Sequence, residues 1–364
     1  MADKTLMFYI NSLERGGAER VIAQLADRFS ADGYRCVLVC SYAAEDEFPL
    51  SPTVERLTME REKSAAGRLR KNIRRISALR FYIRQVRPDA LIAFLPEPSF
   101  RAVIAASGTG VPVIVSVRND PDREYGGRLG HFVGRHLLPH AEGCVFQTEQ
   151  AKAWFPEELQ RKSAVILNQV SPAFFDRRFA GERHGIVSVG RLETQKNQAL
   201  LLRAFARIAD RTDEDIRLYG EGELEKTLRA LASELGVAER VHFMGNSSRV
   251  ADDIAGAQVF VLASDYEGMP NALLEAMALS LPCIATDCPC GGPAAVIRDG
   301  ENGYLVGVGD EAALADKLLR LLSDRALADR LGAAAGRTAE QFRPERVFGV
   351  WKAYIEAVIG GGQT

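Results

Sequence analysis

At 364 residues, with 47% hydrophobic and 26% charged side chains, the chain exceeds what one hydrophobic core usually organises, which predicts two domains and excludes a disordered or fibrous protein. The net charge of −2 is unevenly shared, with 26 Lys and Arg against 21 Asp and Glu in residues 1–180 and 20 against 27 in the rest, as a two-domain split predicts. No run approaches the roughly 20 apolar residues of a spanning helix, and the apolar run at 6–10 is too short for a signal segment, so a cytoplasmic protein is expected.

In chain order, strand-like runs at 6–10, 36–41, 90–94, 113–117 and 143–146 alternate with stretches of helical period. A polar stretch from Ser171 to His184 reads as a linker. A second series follows at 186–189, 216–219, 241–243, 259–262, 283–285 and 304–306, before helices at 311–322 and 325–359 and a glycine tail at 360–362. Alternation of this kind predicts an α/β protein of two doubly wound, Rossmann-like domains facing across a cleft, covering 1–175 and 182–342, with helix 343–359 packing back on the first. Function should then concentrate in the strand-to-helix loops of both halves.

Four of the six cysteines, Cys36, Cys40, Cys144 and Cys283, fall inside apolar runs and read as small hydrophobes. Cys288 and Cys290 flank Pro289, but no second Cys or His pair stands at ligand spacing, so no metal is expected there.

After the first run come Gly16 and Gly17, ahead of a helix with Val21, Leu25 and Phe29 on one face. Paired glycines there either let an anion reach free N–H groups at a helix N-terminus or make a plain turn. In the second half Gly190-Arg191-Leu192 follows a strand and Lys196-Asn197 opens a helix. The two cations either neutralise a diphosphate together, Arg191 as a fork and Lys196 as a point charge, or are solvated surface charges. Farther on, Glu267 is expected to close a strand. Gly268 permits close backbone approach, Pro270 suits a first helical turn, and Glu275 lies within the helix among Leu273, Leu274 and Met277. A carboxylate on such an apolar face is costly unless it binds something.

Taken together, Glu267 and Glu275 at this spacing, Gly190-Arg191-Leu192 with Lys196-Asn197, and Gly16-Gly17-Ala18-Glu19 resemble the family 4 retaining glycosyltransferases of the GT-B fold. The runs Thr286–Pro293 and Ser116–Pro121 are similar to members that build bacterial capsule, exopolysaccharide and lipid-linked oligosaccharide. The resemblance implies a metal-independent enzyme without a cofactor, taking a UDP-sugar as donor. It implies that Arg191 and Lys196 hold the leaving diphosphate, with the Gly17 N–H at Gly16-Gly17, and that Glu267 faces the donor sugar. It further implies that Gly268, Met269 and Asn271 contribute donor-binding groups, and that Glu275 binds the ribose hydroxyls. Fixed cations would then meet the charge left on the departing phosphate. Many relatives carry a histidine near the end of the fourth strand of the first domain, where this chain has Arg118; either Arg118 or Asn119 would contact the sugar or acceptor.

Weaker signals compete. Asp213-Glu214-Asp215 has the spacing of a metal site but precedes a strand, at the wrong end of the sheet, and reads as a solvated turn. Gly220-Glu221-Gly222 lacks the third glycine of a dinucleotide fingerprint, Glu225 standing in its place, and reads as a tight turn near the nucleotide. His131, His136 and His140 read as surface residues and His242 as structural. Residues 61–87 hold ten Lys or Arg and one Glu, with Leu69, Ile73, Ile76, Ile83 and Val86 near one stripe. The stripe is expected to cover the sheet and the basic face to meet anionic headgroups at the inner face of the cytoplasmic membrane, where a lipid-linked or oligosaccharide acceptor would be found. Nucleic acid is not an expected partner, because few aromatic residues interleave the charges. The rival readings are a UDP-sugar 2-epimerase of the same architecture, which would need no acceptor, and a non-catalytic two-lobed sugar-binding protein, which would bind sugar without nucleotide.

Overall fold

The computed structural model describes residues 4–14, 16–60, 67–177, 179 and 181–361. Positions 61–66 of the basic segment, Arg15 beside the paired glycines, Arg178 and Ala180 of the polar stretch, and Gly362 of the tail lie outside the described residues. The chain divides into two compact units, Met1–Asn168 with Val347–Thr364, and Gln169–Arg346. The polar stretch 171–184 therefore belongs to the second unit, where its short helix Pro172–Asp176 buries Phe174.

In the first unit the described strands are β1 (Thr5–Ile10), β2 (Arg35–Tyr42), β3 (Glu55–Glu60), β4 (Ala90–Phe94), β5 (Val113–Ser116), β6 (Gly143–Phe146) and β7 (Ser163–Val165). They form one sheet in the order β3-β2-β1-β4-β5-β6-β7, every neighbouring pair parallel. The interior strand β1 is buried along its whole length, as a parallel strand covered on both faces must be. The edge strands β3 and β7 go unpredicted because they are polar or very short and only partly covered.

In the second unit β8 (Ile186–Val189), β9 (Ile216–Tyr219), β10 (Val241–Gly245), β11 (Val259–Leu262), β12 (Cys283–Thr286) and β13 (Tyr304–Val306) form a second parallel sheet in the order β10-β9-β8-β11-β12-β13. Each sheet reverses its winding once, between β1 and β4 and between β8 and β11. Crevices beyond the carboxyl ends of strands at such points are where doubly wound sheets bind ligands.

The C-terminal helix expected over 325–359 is broken. Arg325–Ala339 is followed by a short turn at Glu340–Phe342, and Pro344 opens a new helix, Pro344–Ile359, because proline lacks the N–H that a continuous helix needs. From Val347 onward this helix belongs to the first unit. There Trp351 stacks on Phe94 with ring centroids 5.8 Å apart, and the Tyr354 hydroxyl accepts a bond from the Cys144 N–H at 2.8 Å.

The basic helix, Arg68–Val86, departs from its expected stripe. Leu79 and Ile83 are buried with Arg75, whose guanidinium makes two 3.1 Å bonds to Glu60. Ile76 and Val86 are half-buried, but Leu69 is 75% and Ile73 58% exposed. At about 100° per residue Ile73 lies roughly 120° around the helix from Leu79, so the inward line runs through Arg75 and leaves the two apolar side chains among Arg70, Lys71 and Arg74. Among the described residues no helix is long and apolar enough to cross a membrane.

Candidate active site

Glycines shape the loop after β8. A Cβ on Gly220 would stand 2.2 Å from the Gly190 carbonyl oxygen, and one on Gly222 2.4 Å from that of Leu192. The backbone φ of +128° at Gly220 adds a second reason for glycine. The Gly220-Glu221-Gly222 turn thus lies against the Gly190-Arg191-Leu192 loop, and the Leu192 N–H donates to the Glu221 carbonyl at 3.0 Å.

Lys196 sits in the short turn Thr194–Lys196. Behind it Asn197, at φ +42°, caps the helix Gln198–Ala206 by accepting from the Leu200 N–H. Its side-chain amide donates to Asp265 Oδ1 at 2.7 Å. The Asp265 N–H returns a bond to the Gln195 carbonyl at 2.9 Å, and Gln195 Nε2 donates to the Tyr266 carbonyl at 3.0 Å. These bonds tie the β8 loop to the β11 loop and bring Lys196 Nζ onto Glu267 Oε1, which also accepts from Ser264 Oγ at 2.7 Å. The lysine side chain is 19% exposed and the glutamate 7%, so this is a largely buried ion pair. Arg191 does not join it: its side chain is 68% exposed and pairs with Glu193 at 3.0 Å. Glu267 does not close a strand, because β11 ends at Leu262. The intervening polar residues bond across to the Lys196 loop instead of to a ladder.

The Glu267 N–H donates to the Pro289 carbonyl at 2.6 Å, and the Cys290 N–H to the Glu267 carbonyl at 3.0 Å. Next to this pair a Cβ on Gly292 would stand 1.8 Å from the Gly268 carbonyl oxygen, so the 286–293 run is clamped against the Glu267-Gly268 loop. Met269 is buried beside it. Pro270 stands one position before the helix Asn271–Ala278, not inside its first turn, and Glu275 is buried on that helix with Leu273, Leu274 and Met277.

Gly16 and Gly17 lie in the first unit, at the start of the helix Gly17–Ala31. A Cβ on Gly16 would stand 2.3 Å from Glu19 Oε2, so a carboxylate of the chain itself occupies this N-terminus, where the helix dipole favours negative charge. Arg118 follows β5 and is 8% exposed. Its guanidinium lies over the Phe94 ring at 4.8 Å and donates to Asn168 and, at 3.4 Å, to Ser116 Oγ. Burial pulls the Arg118 pKa down to about 9, against the opposing pull of Glu124 and Glu19.

Asp120 caps the turn Pro121–Glu124 through the Asp122 N–H, and beyond it the polar atoms run short of partners. Asn119 Oδ1, Glu124 Oε2 and Tyr125 Oη are all buried without a hydrogen bond. Burial raises the Glu124 carboxyl to about 8 although Arg118 draws it down. Sequence reasoning missed Glu124 and Tyr125, since an acidic residue in Asp122-Arg123-Glu124 looks like a solvated helix end. Asn197, Ser264 and Asp265 were also missed as orienting residues, although each flanks a residue that was singled out.

The competing motifs find other roles. Glu214 accepts from the Gly185 N–H, and Asp215 pairs with His242 at 2.9 Å and Arg240 at 3.3 Å. His242 is itself half-exposed on the edge strand β10. Among the described residues no group of three or more His, Cys, Asp or Glu could hold a metal ion.

Two family models match the chain: "Glycosyl transferases group 1" over residues 171–338 and "Glycosyl transferase 4-like domain" over residues 16–167. The GalNAc-alpha-(1->4)-GalNAc-alpha-(1->3)-diNAcBac-PP-undecaprenol alpha-1,4-N-acetyl-D-galactosaminyltransferase of Campylobacter jejuni is 25% identical over 97% of this chain and 98% of its own. A second Campylobacter jejuni protein, the N-acetylgalactosamine-N,N'-diacetylbacillosaminyl-diphospho-undecaprenol 4-alpha-N-acetylgalactosaminyltransferase, is 28% identical over 88% of this chain and 90% of its own. Among solved structures, Anabaena HepE in complex with UDP and glucose superimposes with a TM-score of 0.79, covering 97% of this chain and all of its own at 17% identity. The fold is that of the GT-B glycosyltransferases.

Proposed function

The chain belongs to the family 4 glycosyltransferases, and from that premise we propose that it moves a hexose or N-acetylhexosamine from a UDP-sugar onto a lipid-linked or glycan acceptor in surface polysaccharide synthesis, with retention at the anomeric carbon. The observation that carries the reading is the buried Lys196–Glu267 pair beyond the β8/β11 reversal. A bound diphosphate would compete with Glu267 for the lysine, and Arg191 would swing from Glu193 to complete a two-cation clamp in the role a metal plays elsewhere. Glu267, released toward the sugar, would accept from its hydroxyls, and Glu275 would take the ribose. In the second unit Gly268, Met269 and Asn271 would contribute donor-binding groups; in the first, the N–H groups at Gly16 and Gly17 would be open to an anion only where Glu19 gives way. The second unit thus takes the nucleotide and the first, 1–175 in sequence terms, the acceptor.

Thermal unfolding with UDP, GDP, ADP and several UDP-sugars, in EDTA and in magnesium, tests this. At about 100 times its Kd a nucleotide stabilises by about 2.7 kcal/mol, a rise of about 5–10 °C for a unit of this size. We expect the rise with UDP compounds and in EDTA. No rise with any nucleotide would remove the donor-site assignment, and release of UDP with an epimerised sugar, without acceptor, would favour the epimerase reading.

Leu69 and Ile73, exposed among Arg70, Lys71 and Arg74, support docking on anionic lipid, each cation contributing about 1 kcal/mol near the surface. Co-sedimentation with phosphatidylglycerol vesicles should fall about tenfold in Leu69→Glu/Ile73→Glu, since about 1.4 kcal/mol is one decade. Equal binding of the wild type to phosphatidylcholine vesicles would reject the electrostatic part.

A further inference from the structure

Three buried polar atoms without partners fall within seven residues of one another, on Asn119, Glu124 and Tyr125, beside an arginine with N–H groups to spare. A buried polar atom that nothing bonds keeps its full desolvation cost, and one segment carrying three of them calls for a reason. The segment is rigidly held. Tyr125 is 1% exposed, with its ring packed edge-on to Phe155 at 5.4 Å and against Trp154 at 6.0 Å. Cβ atoms on Gly126 and Gly130 would stand 2.4 and 2.3 Å from the carbonyl oxygens of Asp122 and Tyr125. Arg118 is fixed over Phe94, itself backed by Trp351. The unmet groups are therefore preorganised: Asn119 Oδ1 and Glu124 Oε2 are themselves buried, but Asn119 and Glu124 are only half-buried as residues, so both side chains also present surface to a ligand.

We propose that Arg118, Asn119 and Glu124 form a sugar-recognition subsite of the first unit, for a neutral ring whose hydroxyls supply the missing partners of Asn119 Oδ1 and Glu124 Oε2 and accept from Arg118. The inference rests on the glycosyltransferase reading and extends it to Glu124. A hydroxyl both donates and accepts, which suits a set holding one cationic donor, one amide acceptor and a carboxyl. The groups facing Glu124 are Arg118, which favours its ionised form, and Asp120, which opposes it, while Tyr125 lies close enough to feel its charge. With its pKa at about 8 the carboxyl is largely protonated at neutral pH and donates to the ring, a capacity it loses in more alkaline solution. The ring belongs either to the donor sugar or to the acceptor.

Calorimetry and kinetics on Glu124→Leu and Glu124→Gln test the proposal and separate the two sources. UDP affinity, which reads the nucleotide site alone, should be unchanged in both variants, and the melting temperature should hold or rise in Glu124→Leu because an unmet polar atom is gone. In the donor arm, the affinity of UDP-N-acetylglucosamine and UDP-galactose relative to UDP should fall at least about tenfold in Glu124→Leu. In the acceptor arm, the KM for p-nitrophenyl N-acetyl-α-galactosaminide should instead rise by that factor. Glu124→Gln should recover part of the loss and flatten the wild type's decline above about pH 8. No change in either arm, or a fall in melting temperature together with weaker UDP binding, overturns the subsite. A wild type that fails to bind UDP would overturn the glycosyltransferase reading itself.

Discussion

Replacing Lys196 with alanine should lower kcat by about 10²–10³, the usual cost of removing one fixed donor from developing charge, and should also lower stability. The two effects have different origins. The stability loss follows from Glu267, 7% exposed and left with Ser264 as its remaining hydrogen-bond donor at Oε1. Breaking a buried pair from one side costs about 3–5 kcal/mol, about 6–20 °C in this size range. The catalytic loss would follow from the leaving phosphate that Lys196 is proposed to neutralise. Lys196→Ala/Glu267→Gln should therefore recover much of the melting temperature and none of the turnover. Arg191→Ala provides the complementary case, since its side chain is 68% exposed and paired with Glu193. It should melt like the wild type and still lose turnover. Normal kinetics in both single variants would remove the assignment of these cations to the leaving phosphate.

Gly292→Ala should slow sugar transfer by about 10² or more without touching any charged group. Its Cβ would stand 1.8 Å from the Gly268 carbonyl oxygen, a distance no relaxation of a flexible side chain can relieve, because the obstacle is backbone. The two loops are also pinned by the bonds between Glu267 and the Pro289 and Cys290 positions, so the Gly268 loop must move with Glu267 attached. A displacement of about 1 Å at a reacting centre costs on the order of 10² in rate. We expect at least that loss, with UDP-sugar affinity weakened as well. Gly349→Ala is the control, since it lies inside the helix Pro344–Ile359 with nothing within 4 Å of its Cβ. It should stabilise by about 1 kcal/mol, because alanine is the better helix former. Wild-type kinetics in Gly292→Ala would mean that the Gly268 backbone does not position the donor.

Much of the fold is legible in the sequence alone. Interior parallel strands are apolar runs because both faces are covered, so β1, β4, β6, β8 and β11 stand out, and their alternation with helices implies doubly wound sheets. Gly16-Gly17, Arg191 with Lys196, and the spaced Glu267 and Glu275 each also fit a plain turn or solvated charges, and a nucleotide-sugar site is implied only by the family resemblance they carry together. Edge strands are a different matter. β3 and β7 are polar or three residues long because an edge is only half covered, and periodicity cannot separate them from loops.

What only the tertiary structure decided are the relations between residues far apart in sequence. Lys196 and Glu267 meet because Asn197, Gln195 and Asp265 tie two loops together, a pairing that no local pattern encodes. Arg191 turns outward to Glu193 although it lies in the same loop as Lys196. Arg75 takes an inward position on a basic helix because Glu60 is there to meet it, and this leaves Leu69 and Ile73 outside. Glu124 reads as a surface charge in sequence, yet its Oε2 is buried without a partner in a turn whose next residue, Tyr125, packs on Trp154 and Phe155. Sequence by itself determined which residue types the chain carries and which face of each element must be covered, since burial of apolar surface is a local demand of each segment. The structure decided which polar groups are paired, exposed or left wanting a partner, because desolvation and pairing depend on what distant segments bring to the same place.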